Sequence, residues 1–410
     1  MDSVKMRRKL ITTHEGVDSL CLMDFSDGRN IMKRRRHKQN PFVCVSITFI
    51  LGFLFTISLI ILESHEMEFS SLTLSRRRLG ITVVQPLPVH NRDGPVKVIT
   101  IPNSVKDKIL LLVSQFSVDT SSLTDLNTFI LKSKDAIRSQ VSGDVIDILQ
   151  SLYNASSPIS AVLLRNLPVD PYVPPNPTDG SVSLGKSTFV AEAMLVGFGE
   201  LTSSSVIGYE SETQYSNPWL QEGFPRTSPG SALTKTSDLS FHQDMSYHPK
   251  PPDILGLVNV REGHDRQLTT ELVDNREVLE TLPASVVSLL RKPRFLVKTS
   301  EWVDASFQTL HGMPLLTEDF SLAIPVEWKN MVGLDKEAEW AVQMLQHAIL
   351  EAPVHHVHFV PGDLLLFNNK RVVHARTPYR DLRFDGGDRV LTRAYFRKLL
   401  NDEEQKTRLI

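Results

Sequence analysis

Residues 240–249 read Ser-Phe-His-Gln-Asp-Met-Ser-Tyr-His-Pro, placing His242 and Asp244 two apart. In an extended chain the side chains alternate sides, so this spacing sets an imidazole and a carboxylate on one face. Alone, the pair is a weak signal, equally suited to a surface hydrogen bond. A third donor sharpens it. His374 follows the run Pro361-Gly362-Asp363 to Asn369 and then Arg371-Val372-Val373, 130 residues beyond Asp244 (374 − 244), so the three can meet only through the fold. Two histidines and one carboxylate leave three coordination positions open, the ligand set of non-haem Fe(II) oxygenases. Those positions suit a bidentate keto acid such as 2-oxoglutarate, whose distal carboxylate needs a cation. Arg389 and Arg393 lie 15 and 19 residues past His374 and share a strand face. A guanidinium fork matches a carboxylate well. His355, His356 and His358 raise a second metal reading, but no carboxylate accompanies them in sequence, and polar residues on an exposed sheet face are the simpler account.

These donors need a scaffold that joins early and late segments. Residues 104–153 show helical spacing, with Ile109, Leu110, Val113 and Phe116, then Ile137, Val141, Val145, Ile148 and Leu152. A short apolar strand at 161–164 runs into a Pro-rich loop, and Phe189–Leu201 reads as a helix. Beyond Asp238 short strand-like runs dominate, interrupted by helical windows at Arg276–Arg291 and Lys336–Leu350. The pattern predicts an α+β, β-rich fold: a double-sheet jelly roll (double-stranded β-helix) with helices packed outside.

With 41% hydrophobic residues and 22% charged residues over 410 positions, there is material for a substantial core. A formal net charge of −2 gives no reason to expect a nucleic-acid partner. The two cysteines, Cys21 and Cys44, both precede residue 50, which rules out a disulfide framework or a thiolate zinc site in the main domain. Pro41–Leu62 is a run of 22 residues without a charge, long enough for a transmembrane helix. The basic cluster Lys33–Lys38 precedes it, and Glu63, Glu66 and Glu68 follow. The positive-inside rule then predicts a single-pass membrane protein with a cytosolic N-terminus and a luminal catalytic domain in the secretory route. The division that follows is a cytosolic tail (1–40), a transmembrane helix (41–62), a stalk (63–95) and a catalytic domain (96–410).

Over roughly residues 160–400 the chain resembles the clavaminate synthase and asparagine oxygenase-like branch of the taurine dioxygenase superfamily. The resemblance rests on Leu167-Pro168-Val169-Asp170-Pro171 with Pro174-Pro175, on His242-Gln243-Asp244, and on Tyr247-His248-Pro249 with Pro252-Asp253. It continues through Gly362-Asp363, Asn369, His374 and Arg376 to Phe384-Asp385-Gly386 and Asp388-Arg389. It implies that His242, Asp244 and His374 are the iron ligands and that Arg389 holds the distal carboxylate of 2-oxoglutarate. Thr270, or its neighbour Thr269, would supply a hydroxyl beside that carboxylate, and Arg393 would meet the substrate's own acidic group. The chain departs from its close relatives in one respect, carrying Asp244 where they commonly use Glu as the middle ligand.

The expected activity is an Fe(II)- and 2-oxoglutarate-dependent dioxygenase. It would consume O2 and release succinate and CO2 while oxidising an unactivated C–H bond of a small, amino-acid-like substrate, by hydroxylation, cyclisation or desaturation. Two other readings are a membrane-tethered hydroxylase of protein side chains or lipid-linked molecules, and a non-catalytic metal-stabilised binding domain.

Overall fold

The computed structural model describes residues 94–119, 122–177, 186–211, 217–225, 239–299, 310–398 and 400–410. Its strands are β1 (Val96–Thr100), β2 (Ala161–Arg165), β3 (Ser205–Ile207), β4 (Gln221–Gly223), β5 (Leu239–His242), β6 (Ile254–Arg261) and β7 (Thr269–Asp274). They continue with β8 (Phe295–Val297), β9 (Leu310–Met313), β10 (Met331–Gly333), β11 (His355–His358), β12 (Leu364–Asn368), β13 (Val372–Arg376) and β14 (Val390–Arg397). The helices are α1 (Asn103–Val113), α2 (Leu123–Arg138), α3 (Gly143–Gln150), α4 (Val190–Leu201), α5 (Asn275–Thr281), α6 (Ala284–Leu290), α7 (Lys336–Glu351) and α8 (Asp402–Thr407).

A seven-stranded sheet runs in the order β1-β2-β12-β6-β14-β3, with β4 also paired to β14, and a four-stranded sheet in the order β11-β7-β13-β5. Alternation along the strands of the larger sheet divides its side chains between two cores. Leu163, Leu255, Leu257, Leu365, Phe367 and Tyr395 pack with Leu272, Val357 and Val372 of the smaller sheet. Their neighbours Leu164, Ile254, Val258, Leu366 and Phe396 pack on α1, α2 and α4. The larger sheet is therefore apolar on both faces, which is why its strands read as near-continuous hydrophobic runs. The functional side chains lie among residues of the inner core, between the two sheets.

The loop after β2 is tied to α4 by a buried network. Asp170 accepts from the backbone N–H groups of Val190 and Ala191 at 3.0 and 3.1 Å and from Lys186 Nζ at 2.8 Å, and Lys186 also reaches Glu192 at 2.7 Å. The carboxylate thereby caps a helix N-terminus and balances a buried ammonium.

Two expectations need correction. The helical window Arg276–Arg291 is two helices, α5 and α6, because Pro283 has no N–H to donate and disfavours helical geometry at Leu282. The single-pass membrane topology, with a luminal catalytic domain, is not retained. Among the described residues no helix is long and apolar enough to cross a membrane. The longest, α2 and α7, have 16 residues each. At 1.5 Å per residue that is about 24 Å, short of a hydrocarbon core of about 30 Å. The tail (1–40), the apolar stretch (41–62) and most of the stalk (63–95) lie outside the described residues.

Candidate active site

His242 ends β5 and His374 sits in the middle of β13, the two being direct partners in the antiparallel ladder. Their rings lie 4.2 Å apart between centroids. Asp244 comes from just past the end of β5, in a loop where Met245 adopts φ 55°, a strained left-handed conformation for a residue with a Cβ. Strand alternation therefore explains His242, whereas Asp244 is set by the loop. One ligand atom from each of the three residues falls within 4.8 Å of the others, and all three residues are buried. Asp244 Oδ1 stands 3.1 Å from His242 Nε2 and 3.6 Å from His374 Nε2.

Hydrogen bonds fix how His242 and Asp244 face the centre. His242 Nδ1 lies 2.8 Å from the Ser240 carbonyl, so that nitrogen donates and the Nε2 lone pair is left for a metal. Arg393 Nη1 donates to Asp244 Oδ2 at 2.8 Å, with Tyr395 Oη 3.3 Å from the same oxygen, and Oδ1 remains turned toward the histidines. Burial works against charge on Asp244, but Arg393 and His242 outweigh it and hold the carboxyl well below the usual carboxylate range. Burial and the neighbouring His242 push His374 down to about 3, so it is neutral and needs no deprotonation to bind a metal at neutral pH.

Sequence reasoning assigned no role to the residues that hold the Asp244 loop. Asn369, in the turn between β12 and β13, accepts from Asp244 N–H at 3.0 Å and donates to the Asp244 carbonyl at 2.9 Å. Gln243 donates to the carbonyls of Asn369 and Lys370 and accepts from Ile324 N–H. Gln243 and Asn369 entered the sequence reading only among the residues that carry the family resemblance, with no role attached. Because Asn369 orients a ligand, Asn369→Ala is expected to weaken iron affinity about 10- to 100-fold while the protein stays folded. Iron titration measures this, and an affinity equal to that of the parent would remove Asn369 from the account.

A cavity opens over the triad. It is lined by His242, Asp244 and His374, by Leu255 and Leu257 of β6, by Thr270 of β7, by Arg376 and Tyr379, and by Arg389, Leu391 and Arg393 around β14. Thr270 lines it and Thr269 does not, since the two point to opposite faces of β7. Arg389 is 5% exposed, lies 5.3 Å from the Phe359 ring, and has Nη1 and Nη2 buried without a hydrogen-bond partner. Burial lowers its pKa to about 10, which still leaves it cationic. A buried guanidinium without an acceptor is rare in a folded protein and marks a place for an anion. Arg393, by contrast, is engaged by Asp244 and by Gln221 Oε1, the latter at 2.8 Å from its Nε. His355, His356 and His358 do not converge: they face Glu277, Glu271 and Glu262 respectively, at 3.0, 3.3 and 3.3 Å.

The donor set fits Fe(II), and the unmatched Arg389 fits a keto acid with a second carboxylate. Comparison with known proteins agrees. The chain is 30% identical to clavaminate synthase 2 of Streptomyces clavuligerus over 318 residues, 73% of this chain and 91% of that enzyme. It is 28% identical to L-lysine 3-hydroxylase of Catenulispora acidiphila over 244 residues, 57% of this chain and 66% of that one. No family model matches. The fold is shared with asparagine oxygenase bound to Fe(II), 3-hydroxyasparagine and succinate (TM-score 0.61, 22% identity, 73% of this chain and 92% of that chain). It is likewise shared with the non-haem iron oxygenase OrfP bound to Fe and 2-oxoglutarate (TM-score 0.63, 20% identity, 76% and 99%). The protein is thus an Fe(II)/2-oxoglutarate-dependent dioxygenase of mixed α/β fold. Within that class, the chain belongs to the taurine dioxygenase-like superfamily, together with clavaminate synthase.

Proposed function

We propose that this dioxygenase hydroxylates an unactivated C–H bond of a small, amino-acid-like substrate, and that residues 96–410 form the catalytic domain. The observation that carries the reading is the cavity that opens directly over His242, Asp244 and His374, a place for a small molecule beside the metal-binding residues, with Arg393 in its wall held by Asp244. Around it Leu239, Leu255, Leu257 and Leu391 supply an apolar wall suited to an aliphatic portion. Two relatives point the same way, one named a lysine 3-hydroxylase and the other crystallised with 3-hydroxyasparagine.

His242, Asp244 and His374 would hold Fe(II), and Arg389 with Thr270 would hold the distal carboxylate of 2-oxoglutarate. When bound, iron and 2-oxoglutarate supply the oxidising power, with O2 consumed and succinate and CO2 released. The chain's contribution is positional. Arg393 fixes one oxygen of Asp244 so that the other faces the metal, and adds positive charge to the wall that a substrate's carboxylate would approach. The leucines keep bulk water from the reacting carbon, and the pairing of β13 with both β5 and β7 holds the ligands and Thr270 in one frame.

Incubation with Fe(II), 2-oxoglutarate and a panel of amino acids tests this. One member or a small group is expected to stimulate succinate release well above the uncoupled rate and to gain one oxygen by mass. A loss of two hydrogens would replace hydroxylation with desaturation or cyclisation. No stimulation by any member would remove the amino-acid reading while leaving the oxygenase intact.

A further inference from the structure

His242 stands at the end of a strand with one neighbour in its sheet. In the four-stranded sheet β5 is terminal and pairs with β13. An edge strand presents backbone N–H and C=O groups that a buried site must satisfy by other means. Here residues 324–328 do so. The Trp328 indole Nε1 donates to the Phe241 carbonyl at 2.6 Å, Gln243 N–H donates to the Ile324 carbonyl at 2.9 Å, and Ile324 N–H returns a bond to Gln243 Oε1 at 3.2 Å. Phe241 and Gln243 flank His242 in the chain, so one segment holds the strand on both sides of a candidate metal ligand. Leu322 N–H also reaches the Lys370 carbonyl at 3.1 Å, in the turn whose Asn369 holds the Asp244 loop.

Of these bonds, the one from Trp328 acts most directly on the ligand. The Phe241 carbonyl shares a rigid peptide plane with the nitrogen and Cα of His242. Fixing that oxygen fixes the plane from which the His242 side chain hangs, and the ring is then turned by its own bond to the Ser240 carbonyl. The donor is itself anchored. Trp328 opens a short 3-10 turn, Trp328–Asn330, that leads into β10. Its ring packs against the inner core, and buried Asn330 donates to the Thr299 carbonyl at 3.3 Å and to Glu327 Oε2 at 3.1 Å, pinning the turn.

We propose that Trp328 is a positioning residue for the metal site: through the Phe241 carbonyl it sets the direction in which His242 presents Nε2, and the three-stranded sheet β10-β8-β9 is the brace that carries it. This role rests on His242, Asp244 and His374 being the iron ligands.

The test uses the full-length protein, titrated anaerobically with Fe(II) by calorimetry and with Co(II), whose visible bands follow the geometry of its ligands. Trp328→Phe keeps an aromatic ring and removes the N–H. Fe(II) is expected to bind about 10-fold more weakly, the size of effect that losing a group behind a ligating histidine produces, and the Co(II) bands are expected to shift. Ile130→Val, a change in the other core of comparable stability cost, is expected to lower the melting temperature with both metal readouts unchanged, which separates positioning from general destabilisation. Asn330→Ala loosens the turn and keeps the indole; a smaller loss of Fe(II) affinity in the same direction is expected, and it carries the test should Trp328→Phe fail to fold. A purely structural role predicts a lower melting temperature with parental Fe(II) affinity and parental Co(II) bands in whichever of the two brace variants folds; that result overturns the proposal. If His374→Ala retains Fe(II), the ligand assignment falls and the role of Trp328 falls with it. If His374→Ala loses Fe(II) and Trp328→Phe does not, only the role of Trp328 is lost.

Discussion

His374→Ala is expected to abolish stoichiometric iron binding and to lower succinate formation at least about 1000-fold, roughly 4 kcal/mol of barrier. The two remaining donors, His242 and Asp244, come from one short segment and cannot define a face of the metal by themselves. Nothing else nearby can replace the lost nitrogen, since among the described residues the triad is the one group able to hold a metal. The variant is informative because it should leave the apoprotein intact. His374 is neutral when buried and its Nδ1 has no hydrogen-bond partner, so its removal strands no charge. Asp244→Ala would be a poorer test. It leaves the Arg393 guanidinium buried without its carboxylate, a change that costs about 3–5 kcal/mol and confounds lost metal with lost fold. Metal analysis beside a thermal melt separates the effects: low iron with a melting temperature near that of the parent is expected. A His374→Ala protein that retains iron and turns over would remove the triad as the metal site.

The three candidate ligands, which the fold brings together, were legible in the sequence because metal chemistry is specific about residue type, and because His-x-Asp with a distant histidine is restrictive once an arginine follows at the right distance. The central strands of the larger sheet, β2, β6, β12 and β14, were equally visible, being apolar on both faces. What sequence could not show depended on contacts between distant segments. Thr269 and Thr270 are indistinguishable as neighbouring residues; only the pairing of β7 with β13 shows which one faces the cavity. The hold of Asn369 on the Asp244 loop spans 125 residues, and the bond between Arg393 and Gln221 spans 172. Arg393 was read as a substrate anchor, and nothing near it in sequence indicated that Asp244 would share it. The strand β1 was passed over because Val-Lys-Val-Ile-Thr is short and follows a polar stretch; it forms by parallel pairing with β2. The membrane topology illustrates the opposite hazard, since a rule about apolar length at 41–62 was extended to the placement of the whole catalytic domain.

Arg389→Met is expected to move two observables in opposite directions: 2-oxoglutarate affinity falls about 100- to 1000-fold, while the apoprotein becomes more stable. Both follow from the position of the side chain. The backbone of Arg389 is pressed against Gly263, whose φ of +84° and closeness (a Cβ there would lie 2.4 Å from Arg389 N) leave little room for it to shift. The guanidinium is thereby held over Phe359 with Nη1 and Nη2 desolvated and unsatisfied. Without co-substrate that is a buried cation lacking its acceptor, and an apolar side chain of similar length removes the penalty. With co-substrate the same two nitrogens would meet a carboxylate in a low-dielectric site. Losing two charge-assisted hydrogen bonds at about 1.5–2 kcal/mol each corresponds to the stated drop in affinity. Thermal unfolding of the metal-free protein and calorimetric titration of the iron-loaded form measure the two arms. The opposite sign in the first arm, a less stable apoprotein with undiminished 2-oxoglutarate binding, would make Arg389 a structural cation. An orphaned charge that weakens the empty protein is what distinguishes a residue kept for its ligand from one kept for the fold.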